Sequence, residues 1–443
     1  DGTRRWTFRL RRGITFRNGR AVNAEDVIAS INHHRGDDSK SAAKPLFAGI
    51  SDIGADGPDL IVFELADGNA DFPYVMSDFH LPILPAGDGG IDWRSGVGCG
   101  GYALSAFEPG QSARFERYAD YWKPDRAWFD SVEIFSIIDA AARGNALMTG
   151  AMDVIDKPKL KTIPMLAERP DVVIEQTEGT LHYTFAANTQ AAPFNDNDVR
   201  LALKYGIDRQ AMLETILRGY GTLGNDHPIE RANRFHADHL EQRSYDPDRA
   251  RFHRRKAEHE TLQIELSAAE AAFPGTVDAA LLYRERALPS GLDIRVVREP
   301  NDGYWSNVWM KKPFTAVYSI GRPIEDMVLS QTYVSHAPWN DTGFNSERFD
   351  RILREARAEL DESRRHEMYG ELQAILRDEG GTVVPCFANK SGRRATRSAK
   401  PSRWRPVRRS TARAASNSGG SSYADWRAGP RKVRRLAMRR WPS

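Results

Sequence analysis

Apolar and polar residues alternate from the first strand-like stretch. Trp6, Phe8 and Leu10 share one face, Thr7 and Arg9 the other, which is the period of a half-buried strand. Arg17-Asn18-Gly19 supplies a hairpin turn. Asn23 then stands as N-cap to a helix with Val27, Ile28 and Ile31 as its apolar stripe. Residues 51–65, 102–118, 130–138 and 171–188 read as strands, and Ala140–Thr149 as a short helix stopped by Gly150. From Asp196 the spacing changes to a helical one. Val199, Ala202, Leu203 and Gly206 hold one face, and Asp208 caps a second helix carrying Met212, Ile216 and Leu217 as far as Gly219.

The charged stretch 248–259 reads as a helix. Leu262–Leu266, a small-residue helix near 276–287 and Ile294–Val297 follow as a β-α-β unit, then a strand at Phe314–Ser319. Two amphipathic helices come next, one on Phe349, Ile352, Leu353, Ala356 and Leu360, the other on Met368, Leu372, Ile375 and Leu376. Thr382-Val383-Val384-Pro385 is a closing strand. Strands alternating with helices predict an α/β architecture. Past Asn389 the periodicity stops.

Composition sharpens this picture at the tail. Of 443 residues, 40% are hydrophobic and 28% charged, which excludes a wholly disordered chain. Residues 391–443 hold sixteen Lys+Arg against one acid, Asp425, while the rest carries 47 basic and 59 acidic residues. An acidic body is therefore joined to a basic tail of Arg, Ser, Ala, Pro, Gly and Trp. The tail reads as a basic arm for nucleic acid or anionic lipid, as a disordered segment, or as the translation of a G/C-rich gene that has slipped frame, the last being favoured. The body gives no reason to expect nucleic acid. With two cysteines, Cys99 and Cys386, neither a disulfide scaffold nor a cysteine-based metal site is expected. No apolar run reaches membrane-spanning length. Asp1 stands where a leader would be, and a fragment is expected.

Few motifs carry chemistry. Gly96-Val97-Gly98-Cys99-Gly100-Gly101 fits the dinucleotide fingerprint, but a strand follows where a helix is needed, so a tight connection is the better reading. His236-x-x-His239 lacks a third metal ligand and reads as a solvated segment. No nucleophile elbow or paired-carboxylate motif stands out, so no catalytic residue and no cofactor are expected. Trp305, Trp309, Tyr318, Tyr333 and Trp339 concentrate aromatics in one stretch; they are either core or the lining of a ligand cleft.

Four ordered blocks resemble the family 5 extracytoplasmic solute-binding proteins, the peptide, dipeptide and nickel-type binding subunits of ABC importers. They are WTFRLRRGITFRNGRAVNAEDVIASI (Trp6–Ile31), GCGGY (Gly98–Tyr102), PFNDNDVRLALKYGIDRQAML (Pro193–Leu213) and the run from Trp339 to Pro385. The resemblance implies a two-lobed periplasmic binding protein fold of the class II type with an extra subdomain, here N-terminally truncated and with an aberrant C-terminal tail. It places part of the extra subdomain at 1–100, the first-lobe core at 101–225, the second lobe at 226–380 and a return to the first lobe at 381–390, followed by the 391–443 tail. It departs from the family pattern at Cys99 and Gly101, where Thr and Pro are usual.

The resemblance also implies a ligand held between lobes and delivered to ABC permease subunits in the inner membrane by a periplasmic, monomeric protein. In peptide-binding members an acid after a tryptophan-containing strand end pairs with the peptide ammonium. The matching stretch here, Tyr318 to Asp326, has Arg322 near that acid's place. Glu325, Asp326 or Asp341 then becomes the expected partner of an ammonium, and Arg322 that of a ligand carboxylate. Tyr183 and Asn188 on the first-lobe side, with Trp305, Trp339 and Asn340, complete the expected ligand-binding set. The expected ligand is a peptide. A metal chelate, opine or oligosaccharide on the same fold is the alternative, and nucleic acid bound through the tail a remote one.

Overall fold

In the computed structural model the described residues are 3–389, except 42, 88–89, 138, 157, 176–178 and 323, and beyond them 394–397 and 434–438. The chain forms two compact units. One is Asp1–Leu10, Val27–Pro82 and Thr177–Lys390; the other is Arg11–Asp26, Ile83–Gln176 and Ser391–Ser443.

In the first unit a six-stranded sheet runs in the order Gly221–Leu223, Thr382–Ala388, Leu181–Ala187, Phe314–Ser319, Leu262–Ala268, Leu292–Arg298. Leu181–Ala187 is antiparallel to both neighbours and buried from His182 to Ala187, as an interior strand covered on both faces must be. Leu262–Ala268 and Leu292–Arg298 pair in parallel, so a crossover must join them, and the helix Thr276–Ala287 does so. This sheet sets the passage between units at Gln176–Thr177. A separate three-stranded sheet orders Arg5–Arg9, Leu60–Leu65 and Ile50–Ala55.

The helices Glu347–Ala358 and Glu362–Asp378 are capped by Ser346 and Asp361, whose side chains accept from the amides of Phe349 and Arg364. Their apolar stripes meet with Phe235, Leu329 and Tyr333 in one buried cluster. Leu360 does not join them. The helix ends at Ala358, and Leu360 is 65% exposed. The helix capped by Asp208 ends at Thr215, and the turn beyond it closes at Gly219, whose φ is 76° and whose amide donates to the Leu213 carbonyl at 2.9 Å.

Two buried ionic knots tie this unit together. Lys204 Nζ donates to the carbonyls of Leu376, Arg377 and Gly380 at 3.1, 3.0 and 2.7 Å, closing the end of the Glu362–Asp378 helix. Asp226 accepts both oxygens' worth of Arg209 Nη2 at 2.7 and 2.6 Å, Arg243 Nη1 at 2.7 Å and the Val384 amide at 3.0 Å.

The second unit is a seven-stranded sheet in the order Val172–Glu175, Arg394–Arg397, Val154–Asp156, Arg434–Met438, Ser131–Ser136, Ser112–Arg117, Tyr102–Glu108. The helix Ala140–Thr149 is capped by Asp139 and closed by left-handed Gly150. Two short pieces of the basic stretch are thus strands, which its sequence does not predict: backbone pairing needs register, not an apolar period of its own. The rest of 391–443, and with it the frame-slip reading, lies outside the described residues.

Candidate functional site

The expected ligand residues all fall in the first unit, and the fold separates them into two groups. One group surrounds the end of Phe314–Ser319. Tyr318 lies directly across from Tyr183, so both side chains share one sheet face. Tyr183 stacks flat on Phe273, with centroids 3.9 Å apart and an 8° interplanar angle, and is buried.

Next to Tyr318 stands Trp305, edge-on at 5.5 Å, and Trp305 meets Trp309 edge-on at 5.7 Å. The short helix that carries Trp305, Tyr304–Asn307, is anchored by Tyr304, fully buried, whose hydroxyl bonds to the Ala316 and Ser267 carbonyls at 2.8 and 3.2 Å. Trp309 Nε1 donates to Asp341 Oδ2 at 3.2 Å. Among the described residues no cation pairs with Asp341. Burial pushes its carboxyl up to about 6, with the Trp309 bond opposing.

Two residues earlier, Trp339 is 46% exposed, and the Arg322 guanidinium lies over its ring at 5.3 Å. Burial lowers the proton affinity of Arg322, and Asp78 opposes this. Asp78 is itself buried and accepts from His80 Nδ1 at 2.6 Å. Tyr183, Tyr318, Trp305, Asp341, Trp339 and Arg322 therefore form one continuous string. An aromatic wall carries a carboxylate at one point and a guanidinium at another.

The second group sits elsewhere. Asp326 is buried and paired with Arg357 at 2.9 Å and with Ser330. Glu325, also buried, has Arg234 Nε 3.9 Å from its Oε2, and Arg234 in turn meets Asp71, which Arg365 also grips. Burial raises the proton affinity of both acids, and their arginines oppose it. Asp326 belongs to an arginine network, whereas Glu325 only neighbours it, and neither of its oxygens accepts a hydrogen bond among the described residues. Asn340 closes its own loop, donating to the Val334 and Phe344 carbonyls at 3.2 and 2.7 Å and accepting from the Phe344 amide at 3.1 Å. Asn188 turns its oxygen onto the Gln190 amide at 2.9 Å, beside Gly343, where a Cβ would come within 2.9 Å of it.

Sequence reading counted Trp309 among the aromatics that are either core or cleft lining, without placing it against Asp341, and did not single out Asp78. Trp309 had a signal in its Trp305-x-x-x-Trp309 spacing, which suits one helical face. Asp78, far from Arg322 in sequence, had none. If Trp309 orients Asp341, Trp309→Phe raises the carboxyl's proton affinity further. A 13C titration of Asp341 in that variant is expected to move its midpoint upward, while Trp309→His, which keeps an N–H, moves it less.

The mixed helix and sheet architecture is that of the two-lobed periplasmic binding proteins. The chain belongs to the bacterial extracellular solute-binding proteins, family 5 Middle, whose family model matches residues 1–362. Such proteins receive solutes for ABC transporters. Di/tripeptide-binding protein 1 of Pseudomonas aeruginosa (strain UCBPP-PA14) is 22% identical over 431 residues, covering 86% of this chain and 77% of that protein. Heme-binding protein A of Haemophilus influenzae is 26% identical over 278 residues, 56% of this chain; the chain spans about half the length of that relative, 49%. The fold matches the periplasmic binding protein DppA of Helicobacter pylori, solved with the peptide STSA, with a TM-score of 0.71 at 20% identity, covering 87% of this chain and 81% of that one.

Proposed function

We propose that this protein binds short peptides on the aromatic string of its first unit and hands them, in the periplasm, to the permease of an ABC importer. The observation that carries this reading is Asp341. It is a carboxylate held by one indole N–H, with no cation paired to it among the described residues, beside Trp305, Trp309 and Trp339. A peptide ammonium supplies the missing cation, and the aromatic faces supply apolar contact for side chains without demanding one sequence. The peptide-binding relatives support the same assignment.

Calorimetry of the full chain with a dipeptide such as Ala-Phe, a tripeptide and their N-acetylated forms tests it. Saturable binding that disappears on acetylation is expected. Equal binding of acetylated and free forms, or no binding of any peptide, overturns it.

A further inference from the structure

His227 is the least explained polar side chain in the first unit. It is 2% exposed, and neither ring nitrogen has a hydrogen-bond partner among the described residues. A neutral imidazole carries one N–H donor and one lone pair. Burying both unpaired costs free energy, so such a ring marks a place where a water or an ion arrives. Its neighbour is His236, whose ring lies 5.6 Å away, centre to centre, at a tilt of 52°. The His236 side chain is 17% exposed, and its Nδ1 bonds to Asp238 Oδ1 at 3.0 Å. A carboxylate at Nδ1 fixes the proton there and leaves the Nε2 lone pair for another partner.

This pairing is not the one the spacing offers. His236-x-x-His239 brings both rings to one face only on a helix, and residues 236–240 are turn and loop. His239 lies instead against Gly370, where a Cβ would come within 2.9 Å of its Cε1. The pair also stands apart from the aromatic string. His182, which is within electrostatic reach of His227, directly precedes Tyr183 on its strand and so turns to the opposite sheet face.

We propose that His227 and His236 form a two-coordinate site for a soft monovalent cation, Cu(I). Each gives one neutral imidazole nitrogen, and Asp238 is a positioning residue that holds the His236 ring. Among the described residues no third histidine, cysteine, aspartate or glutamate joins them in a set able to hold a metal. Two ligands are too few for zinc, which takes four, and suit a closed-shell monovalent ion that accepts two nitrogens in a line. Charge points the same way. Arg377 is within electrostatic reach of His227 and repels a divalent ion more than a monovalent one, while Asp226, which also reaches it, is already matched by Arg209 and Arg243.

The test uses the full chain with Cys99→Ser, which removes the one thiol that is not buried. Cu(I) is titrated without oxygen against a chromophoric chelator, and Ag(I), a redox-inert stand-in, is titrated while the histidine ring 15N resonances are followed. One equivalent of either ion is expected to shift the rings of His227 and His236 together. His236→Gln is expected to weaken binding at least about 100-fold, and Asp238→Asn about 10-fold, the low end for losing an outer hydrogen-bond partner. His239→Gln leaves binding unchanged. His227→Gln gives the same loss as His236→Gln if a thermal scan shows it folded. His236 reaches the surface, so its variant decides the matter even if the His227 variant unfolds. Binding that persists in His236→Gln, ring shifts with Zn(II) but not Ag(I), or no ring shift with any ion overturns the site and leaves a buried water as the partner of His227.

Discussion

Replacing Asp226 by asparagine is expected to cost the fold about 3–5 kcal/mol, the range for breaking a buried ion pair from one side. Asparagine is the informative choice because residue 226 has a φ of 60°, which Asn tolerates and most other side chains do not. The variant keeps shape and backbone, and leaves Arg209 and Arg243 facing a neutral amide inside the protein. Burial alone would raise the Asp226 carboxyl, but Arg209, Arg243 and Lys204 overcome it and hold it at about 2, below the ordinary 3.8. A carboxyl depressed on folding stabilises the native state above its unfolded value, and that contribution is lost as pH falls through the folded one. Wild-type protein therefore loses this contribution between about pH 4 and pH 2, and the asparagine variant, lacking it already, shows no such step from this site. Urea midpoints at pH 7 and on the acid side measure both effects. An unchanged midpoint at pH 7 contradicts the account.

Asp341→Asn carries the largest expected functional effect. Removing the charge proposed to meet a peptide ammonium is expected to weaken Ala-Phe by about 30-fold or more, the loss typical when one partner of a hydrogen-bonded charge pair is removed. In wild type the affinity falls as pH drops through about 6, where burial has placed the Asp341 carboxyl. It also falls above about 8, where the peptide amine loses its proton. The variant loses the acid limb. Its stability moves in the opposite direction. A carboxyl raised on folding binds its proton more tightly in the native state, so wild-type stability declines as pH rises from about 4 to about 6, and the ligand-free protein above that window carries an unfavourable buried charge. Asp341→Asn is therefore expected to unfold at a higher temperature than wild type at pH 7.5 while binding worse. That pairing separates a binding residue from a packing one. A variant that binds worse and also unfolds earlier would assign Asp341 to packing.

Much of the fold was legible because its signals are local. Ser346, Asp361, Asp139 and Asp208 cap the helices that their spacing announces, and the Phe349 and Leu372 stripes form the core expected of them. The misses at Leu360 and Gly219 concern helix ends, where backbone geometry at Glu359 and Arg218 stops the helix before its apolar pattern stops. The site was legible in composition and only partly in membership. Tryptophans and charges concentrated within 305–341 raise the expectation of a ligand face, but a carboxylate reads the same in sequence whether it is free or paired. Arg357 comes from another part of the chain to engage Asp326, Arg234 approaches Glu325 only to 3.9 Å, and nothing local distinguishes those acids from Asp341.

The sequence by itself determined the α/β class, the helices and strands, the family resemblance and the segment expected to bear ligand residues. These follow from periodicity and from motifs that are contiguous in the chain. The tertiary structure alone decided that Leu181–Ala187 joins the sheet of the later strands, that Arg357 engages Asp326 while no cation pairs with Asp341 among the described residues, and that Asp78 lies within electrostatic reach of Arg322. Each of those depends on pairing and burial between residues distant along the chain, and the free energy of a charge is set by such neighbours rather than by its position in the sequence.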